Sequence, residues 1–270
     1  MKTFVIALCL SILVGPAWSS CAQDRLRMAT TTSVQDSGLM AYLLPNFEKS
    51  CQCKVDVIAV GTGQALKLAS GGDVDLVVVH DPQSEQKFVG DGFGVNRRTF
   101  MMNDFVILGP PFDPAGVRGM ANAAQALAKI SRAGATFISR GDESGTHQRE
   151  KALWKRAGVQ PAGRWYLDIG QGMGAALTMA SEKQAYTLSD RATYLARMKQ
   201  LGLGVLVEGD AELLNYYSVI QVNPARFPQA KSSLARRLSD WFCSSEGQRL
   251  IGEYRAGGHK LFTPNCNVGK

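Results

Sequence analysis

The chain has 270 residues, of which 30 are basic and 23 acidic, so its formal net charge is +7. Apolar residues make up 45% of the sequence and no tract is of low complexity, which argues against disorder and predicts one large domain or two of ordinary size. The basic residues are dispersed and are not interleaved with aromatic ones, which argues against nucleic-acid binding and is compatible with the attraction of a small anion.

The N-terminal segment is typical of a signal peptide. A lysine precedes an apolar run over residues 4–14, and a glycine and a proline end this run. The run is shorter than the roughly 20 residues that cross a bilayer as a helix. We therefore expect a signal peptide over residues 1–22, cut after Ser19 or Ala22, and a soluble periplasmic protein. Lipidation of Cys21 is the less favoured alternative, because the residues before it match a lipoprotein box poorly.

The cysteines that follow the signal peptide predict two disulfide bonds. An even number of them is left for an oxidising compartment: Cys51, Cys53, Cys243 and Cys266. Metal binding is disfavoured, because a single residue separates the first two cysteines and no histidine lies beside them. A bond between Cys51 and Cys53 would be strained, so we expect each of them to pair with one of the late cysteines. The sequence does not choose between the two possible pairings.

Apolar strands alternate with helices along the mature chain. The first unit is predicted as strand Leu26–Thr30, helix Leu39–Lys49, strand Val55–Val60, helix Gln64–Ala69 and strand Val74–Val79. The second is predicted as helix Asn122–Ser131, strand Thr136–Ser139, a helix through Trp154, strand Trp165–Ile169, a helix from Ala175, strand Ala185–Leu188 and helix Arg191–Lys199. Continuous apolar strands between helices indicate an α/β fold whose mostly parallel sheets are covered on both faces.

Two extended crossings, near Asp104 and Leu213, predict a division into two lobes. After the second crossing the chain runs extended over Asn215–Asn223 and ends in two helical segments. We expect lobe I to comprise residues 23–104 plus 213–270 and lobe II to comprise residues 105–212. Two hinge strands would then join the lobes.

Three loops that follow predicted strands combine glycines with hydroxyl side chains: Thr30–Gly38, Gly61–Gly63 and Arg140–Thr146. In such sheets ligands lie beyond the carboxyl ends of the strands, where loops enter helices. Backbone N–H groups and helix dipoles at these places attract anions. The loops therefore predict an anion site in the cleft where they converge.

A deprotonated tetrahedral oxyanion offers only acceptor oxygens, so it needs hydroxyl, amide and guanidinium donors. The candidate anion-binding residues are Thr31, Thr32, Ser33, Thr62, Arg140, Ser144 and Thr146. Serine and threonine before a helix are usually caps, and Gly-Thr-Gly is usually only a turn. It is the coincidence of three such loops at equivalent strand ends that favours a site.

Four segments resemble the tungstate-binding proteins of bacterial ABC importers: ATTTSVQDSGL (29–39), VGTGQALKLA (60–69), VVHDP (78–82) and SRGDESGTH (139–147). The resemblance covers nearly the whole mature chain, although the cysteines are not part of it. It implies a type II periplasmic-binding-protein fold that closes on tungstate between its lobes and delivers it to an ABC permease in the inner membrane. It also implies that Thr31, Arg140 and Thr146 carry most of the recognition. We expect a monomer that needs no cofactor and no metal.

An enzymatic alternative comes from Gly141–Gly145, which superficially resembles the GDSG nucleophile loop of serine proteases. His80, Asp104 and Ser144 even occur in a chymotrypsin-like order. However, Glu143 interrupts the motif, and the surrounding helices contradict an all-β protease. We therefore expect recognition without turnover.

Other tetrahedral oxyanions are alternatives to tungstate. Molybdate has nearly the same size and charge as tungstate. Sulfate is a further alternative ligand. Phosphate is least favoured, because the proton that it keeps at neutral pH needs an acceptor and only Asp36, Asp142 and Glu143 are near. Those carboxylates would repel a dianion, so we expect them to cap helices or to bind arginine and lysine.

Overall fold

The computed structural model describes residues 24–266, so the predicted signal peptide, with Cys9 and Cys21, lies outside the described residues. The described helices are α1 (Thr32–Asp36), α2 (Leu39–Cys51), α3 (Thr62–Gly71), α4 (Pro82–Gly90), α5 (Ala123–Arg132), α6 (Gly145–Arg156), α7 (Met173–Glu182), α8 (Arg191–Arg197), α9 (Ser232–Phe242) and α10 (Ser245–Glu253). Short 3₁₀ turns cover Met198–Gln200 and Ala211–Leu213. None of the helices in this part of the chain has the length and apolar content to cross a membrane.

The strands are β1 (Arg25–Thr31), β2 (Lys54–Val60), β3 (Leu76–Val79), β4 (Gly94–Gly109), β5 (Phe137–Ser139), β6 (Tyr166–Asp168), β7 (Tyr186–Asp190), β8 (Gly204–Val207), β9 (Leu214–Val222), β10 (Arg255–Ala256), β11 (His259–Lys260) and β12 (Thr263–Pro264). One sheet has the order β2-β1-β3-β9-β4-β7-β5-β6, with β8 and β12 also paired to β4. Strands β1, β2 and β3 run parallel on one side, and β5, β6 and β7 run parallel on the other. The helices flank this sheet, which confirms the predicted α/β class.

The long strand β4 runs antiparallel to β9 and β7. Its first part belongs to the half of the sheet that contains β9, and its last part belongs to the half that contains β7. It pairs with β9 as far as Asp104, opposite Leu214, and with β7 from Phe105, opposite Asp190. Because β3 also runs antiparallel to β9, its carboxyl end points toward this crossing point. The carboxyl end of β7 points toward the same place from the other side. Loops from both sides of the sheet therefore converge there.

Burial on both faces explains why β3 is a continuous apolar run. Leu76 and Val78 pack in one hydrophobic cluster, whereas Val77 and Val79 pack in another. Successive side chains of a strand point to opposite faces of the sheet, so both faces of β3 lie under helices. These two clusters draw on residues before 102 and after 216, with Ala192 in addition. The other two clusters draw on residues 105–213.

Most predicted elements agree with the structure within a few residues, but the predicted polar turn over Thr30–Gly38 contains helix α1. The Thr31 side chain caps this helix by accepting a hydrogen bond from the Val34 N–H at 3.3 Å. Helix α4 was also missed, because it buries only Glu85 and Phe88 and so has little apolar periodicity. The short strands β8 and β10–β12 carry too few residues for a sequence pattern.

The structure has two disulfide bonds, as predicted, but the expected pairing of early with late cysteines is wrong. Cys51 bonds to Cys53, and Cys243 bonds to Cys266. Helix α2 ends at Cys51, and Gln52 takes a left-handed backbone conformation with φ 55°. This residue turns the chain back, so that the Cα atoms of Cys51 and Cys53 lie 5.2 Å apart, within the usual range for a disulfide.

Removing the Cys243–Cys266 bond should destabilise the protein more than removing the Cys51–Cys53 bond. The first closes a loop with a sequence separation of 23 residues and the second a separation of 2. Chain-entropy arguments give about 3 kcal/mol for a loop of the former size. Urea unfolding of Cys243→Ala/Cys266→Ala and Cys51→Ala/Cys53→Ala measures the two losses. Equal losses, or a larger loss for the second pair, would contradict this expectation.

Candidate anion-binding site

The first loop presents hydroxyl groups and the first N–H groups of α1 at the end of β1. Thr31 is buried, and its Oγ1 lies 3.1 Å from Ser33 Oγ, while Ser33 Oγ lies 3.4 Å from His80 Nε2. Thr32, at the first position of α1, is partly exposed. The N–H groups of Thr32 and Ser33 have no helical acceptor, because they belong to the first turn of the helix.

The second loop places a buried hydroxyl without a partner beside the first. Val60 is the sheet partner of Thr31, so Thr62 follows β2 at the same edge of the sheet. The Thr62 residue is 2% exposed, and its Oγ1 has no hydrogen-bond partner among the described residues. A Cβ at Gly61 or Gly63 would meet no atom within 4 Å, so the loop borders open space. An unsatisfied buried hydroxyl costs about 1–3 kcal/mol, which a ligand acceptor would offset.

The third loop holds a guanidinium group in a fixed orientation. Arg140 is 3% exposed; its Nε and Nη2 donate to Asp142 Oδ2 at 3.2 and 2.5 Å, and its Nη1 donates to Thr146 Oγ1 at 3.4 Å. Burial works to raise the pKa of Asp142, but the Arg140 charge and the hydrogen bonds from Ser144 hold it below its usual value. The carboxylate therefore stays ionised and balances the Arg140 charge. With Nε and Nη2 of Arg140 bound to Asp142, its Nη1 points toward Thr146 at the start of α6.

Ser144 caps α6, because its Oγ accepts a hydrogen bond from the His147 N–H at 3.3 Å. A capping hydroxyl accepts through a lone pair and keeps its proton for another acceptor. The same holds for Thr31, whose Oγ1 accepts from the Val34 N–H. Capping thus leaves the proton of each hydroxyl for another acceptor, and the protein already offers one to each: Asp142 to Ser144 and Ser33 Oγ to Thr31.

His80, which follows β3 and contacts Ser33 of the first loop, lies against Gly145 at the end of the third loop. A Cβ at position 145 would lie 3.0 Å from His80 Cε1 and 3.1 Å from His80 Nδ1, so the close approach requires glycine. A cleft of about 210 Å³ lies beside this contact, lined by His80, Asp81, Pro82 and Gln83 on one side and Gly145, Gln148, Arg149 and Ala152 on the other. Through His80 the structure brings Ser33 close to Gly145 at the end of the third loop, whereas the residues that line this cleft include none of the seven predicted from the sequence.

Asp190 is a further residue near the crossing point that the sequence analysis missed. It ends β7, is 1% exposed, and accepts a hydrogen bond from the Thr193 N–H at 2.8 Å through Oδ1. Its Oδ2 is buried and has no partner among the described residues. Burial raises the pKa of Asp190, an effect that the nearby Arg140 charge reduces. An aspartate directly after an apolar strand was the sequence signal for it.

The side chains that suggested a protease have other partners in the structure. Asp104 binds Arg191 through two contacts of 2.6 Å, His80 Nδ1 contacts Asn215 Oδ1 at 3.0 Å, and Ser144 caps α6. These three residues therefore do not form a Ser-His-Asp arrangement. Of the carboxylates beside the loops, Asp142 binds Arg140 and Glu143 binds Lys151, as expected. Between residues 24 and 266, no cluster of three or more His, Cys, Asp or Glu side chains could hold a metal.

Comparison with known proteins gives a consistent set of relatives. The sequence matches the family described as PBP superfamily domain over residues 16–246. It is 45% identical over 249 residues to the tungstate-binding protein TupA of Peptoclostridium acidaminophilum, which covers 91% of this chain and 87% of that protein. The structure matches that of the tungstate ABC transporter from Geobacter sulfurreducens with a TM-score of 0.80 and 56% identity, covering 85% of this chain and 98% of that one. It matches TupA from Desulfovibrio alaskensis with a TM-score of 0.79 and 46% identity, covering 90% and 100%.

Glu150 lies on the face of α6 that carries Thr146, one helical turn further along. It is 2% exposed, and its Oε1 accepts hydrogen bonds from Tyr166 Oη at 2.8 Å and Trp154 Nε1 at 3.1 Å. Burial raises the pKa of Glu150 to about 7, against an ordinary value of 4.5, despite these hydrogen bonds. Below this pKa a neutral Glu150 keeps a negative charge away from the third loop, and near pH 7 about half of the molecules retain the proton.

The contribution of Glu150 to stability should therefore fall as the pH rises from about 4.5 through 7, while buried His80, with its pKa lowered to about 4, acts in the opposite direction in wild type and variant alike. Over this range the folded state holds the Glu150 proton while the unfolded state releases it, and the full effect is on the order of 3 kcal/mol. Glu150→Gln should remove this loss and be more stable than the wild type at pH 8 but not at pH 5. Urea unfolding at both pH values measures the difference, with Glu182→Gln on the exposed side of α7 as the control. A Glu150→Gln effect that is the same at both pH values would refute the assignment.

Proposed function

Because this chain belongs to the family of PBP superfamily domains, we propose that it is the periplasmic substrate-binding component of an ABC importer. It captures tungstate and delivers it to the permease by binding, without a chemical step. The names of relatives that match nearly the full length of the chain support tungstate as the ligand. The observation that carries the proposal is the convergence of three donor-rich loops, one with an unpartnered buried hydroxyl, at the crossing of the sheet.

The proposed contacts are those predicted from the sequence: Thr31, Thr32, Ser33, Thr62, Arg140, Ser144 and Thr146. A tetrahedral dianion would accept hydrogen bonds from their hydroxyls, from the Arg140 guanidinium and from the free N–H groups at the starts of the helices. Asp142 balances the Arg140 charge, so the site offers little net positive charge from its side chains. Much of the anion charge would be met by oriented dipoles in a protected cleft.

We also propose the lobe boundaries predicted from the sequence, with lobe I over residues 23–104 plus 213–270 and lobe II over 105–212. The separation of the hydrophobic clusters supports this division. Strands β4 and β9 would act as the hinge, and the His80–Gly145 contact would close the cleft. A monomer in the periplasm, exported by the predicted signal peptide, completes the proposal.

Molybdate is the alternative ligand with the same charge and shape. A specific observation also keeps phosphate in the comparison, because Asp190 Oδ2 is a buried acceptor without a partner among the described residues. Hydrogen phosphate could donate its proton there, whereas fully deprotonated tungstate could not. Titration of anion-free protein with tungstate, molybdate, sulfate and phosphate separates these ligands.

Arg140→Ala should weaken tungstate binding by about ten- to a hundredfold, since it removes a hydrogen bond to a charged group. Arg140→Lys should recover part of the affinity, because an ammonium keeps the charge and loses the planar fork. Isothermal titration calorimetry measures the affinities. Arg98→Ala is the matched control, since it removes the same charge from an exposed ion pair with Asp240. If Arg140→Ala bound as tightly as the control while remaining folded, the third loop would be only a helix cap.

Thr62→Val should separate ligand binding from stability. The Thr62 hydroxyl has no partner within residues 24–266, so its replacement by an isosteric methyl group should leave the free energy of unfolding unchanged or slightly higher. The affinity for tungstate should fall by about tenfold, because one donor to the anion is lost. Unfolding in urea and calorimetric titration of the same sample give both numbers. A loss of stability without a loss of affinity would remove Thr62 from the site.

A further inference from the structure

His80 connects the first loop to the hinge region of strand β9. The residue is 4% exposed; its Nδ1 lies 3.0 Å from Asn215 Oδ1, and its Nε2 lies 3.4 Å from Ser33 Oγ. Its ring packs on Tyr217 with 4.7 Å between centroids, and Gly145 lies against its edge. The imidazole therefore has a fixed orientation, in which Nδ1 faces Asn215 on β9 and Nε2 faces Ser33 in the first loop.

The hydrogen bonds of Asn215 determine which nitrogen of His80 carries the proton. Asn215 Nδ2 donates to Asn103 Oδ1 at 2.8 Å and to Tyr217 Oη at 2.9 Å, so both of its amide hydrogens are used. The atom that faces His80 is thus the amide oxygen, which can only accept. His80 Nδ1 must donate to it. A neutral ring with its proton on Nδ1 has an unprotonated Nε2, which can accept a hydrogen bond from Ser33.

The surroundings of the ring disfavour a second proton. Burial, with smaller effects from the positive charges of Arg140 in the third loop and Arg149 on α6, lowers the pKa of His80 to about 4 against the opposing effects of Asn215 and of Asp81 beside it in the chain. Tyr217 on β9 is buried, and its pKa is raised well above 10, so it adds no charge. The ring is accordingly neutral at physiological pH.

We propose that neutral His80 is a positioning residue that takes the Ser33 hydroxyl proton, so that Thr31 and not Ser33 supplies the hydroxyl donor of the first loop. This inference rests on the proposed function and refines its site. With its proton directed at His80, Ser33 reaches the anion only through its backbone N–H. Thr31 Oγ1 accepts from the Val34 N–H and, with the Ser33 proton on His80, is the donor in its 3.1 Å contact with Ser33 Oγ. A charged acceptor can draw this proton away from the neutral Ser33 hydroxyl, because hydrogen bonds to ionised groups are the stronger ones. The contact between Ser33 and His80 ties the loop to β9 through Asn215.

The tautomer of His80 can be read directly from long-range ¹H–¹⁵N spectra, and the chain contains an internal reference. His147 gives the comparison, because its Nδ1 lies 3.1 Å from the Glu143 N–H and 3.2 Å from Glu143 Oε1, a setting that allows either tautomer, unlike that of His80. Spectra between pH 5 and 8, assigned with His80→Gln and His147→Gln, should show a protonated Nδ1 and a bare Nε2 for His80 throughout. A proton on Nε2, or titration of His80 with a midpoint near 6.5, would overturn the proposal. This result does not depend on whether tungstate binds.

Affinities test the consequence for the anion. Thr31→Val should weaken tungstate binding by about tenfold, as expected for a donor to a charged group, and Ser33→Ala by only about threefold, as expected for a neutral hydrogen bond. An equal or larger loss for Ser33→Ala would overturn the proposal. If the wild type failed to bind tungstate while the spectra showed the expected tautomer, the proposed function would fail and the assignment of His80 would stand.

Asn215→Asp provides a readout that a purely structural role would not change. A carboxylate beside Nδ1 favours the doubly protonated ring, whose Nε2–H donates to Ser33 and frees the Ser33 proton for the anion. The ratio of the affinity of Asn215→Asp to that of the wild type should therefore rise several-fold as the pH falls from 8 to 6. Because Glu150 titrates in both proteins, any effect of its charge on the affinity cancels in the ratio of the two affinities. A ratio that is constant with pH would contradict the proposed role of His80.

Discussion

The path of β4 through both sides of the sheet is the constraint on which the site depends. Because β4 pairs with β9 before Asp104 and with β7 after it, the parallel strands on the two sides run in opposite directions. Their carboxyl ends therefore point at each other across the crossing. In a single parallel sheet these loops would lie in a row along one edge. Here they face one another across the crossing, so that residues separated by more than 100 positions, such as Ser33 and Gly145, both lie against His80.

Charge compensation is the second feature of the cleft. The buried Arg140 has Asp142 as its partner. Glu150, on the helix α6 that follows the third loop, has a pKa raised by burial. A cleft with a single uncompensated arginine would attract any anion and would be costly to bury. Where the arginine charge is neutralised and hydroxyl and N–H groups point into the cleft, a ligand binds well only if its acceptor oxygens match those donors in number and direction. Selectivity in such a site is geometric more than coulombic.

The hydrogen bonds around His80 connect the cleft to the crossing between β4 and β9. Asn215 and Asn103 lie opposite each other in β9 and β4, at the place where the chain crosses between the sides of the sheet. Asn215 orients His80, and His80 in turn contacts Ser33 and Gly145. A change in the relative position of the two sides would therefore disturb the first loop. Buried polar networks of this kind transmit position because each member has a fixed partner.

The sequence by itself determined the features that depend on neighbouring residues. Apolar runs such as Leu76–Val79 specify strands, and the glycines and hydroxyls after strand ends specify loops that can cap helices or hold an anion. The tertiary structure alone decided the contacts between distant residues. The left-handed turn at Gln52 decided the pairing of Cys51 with Cys53, and the sheet order brought Asp190 and Asn215 to the crossing. Whether a hydroxyl such as that of Ser33 faces a ligand or a histidine depends on such non-local partners, which no local pattern encodes.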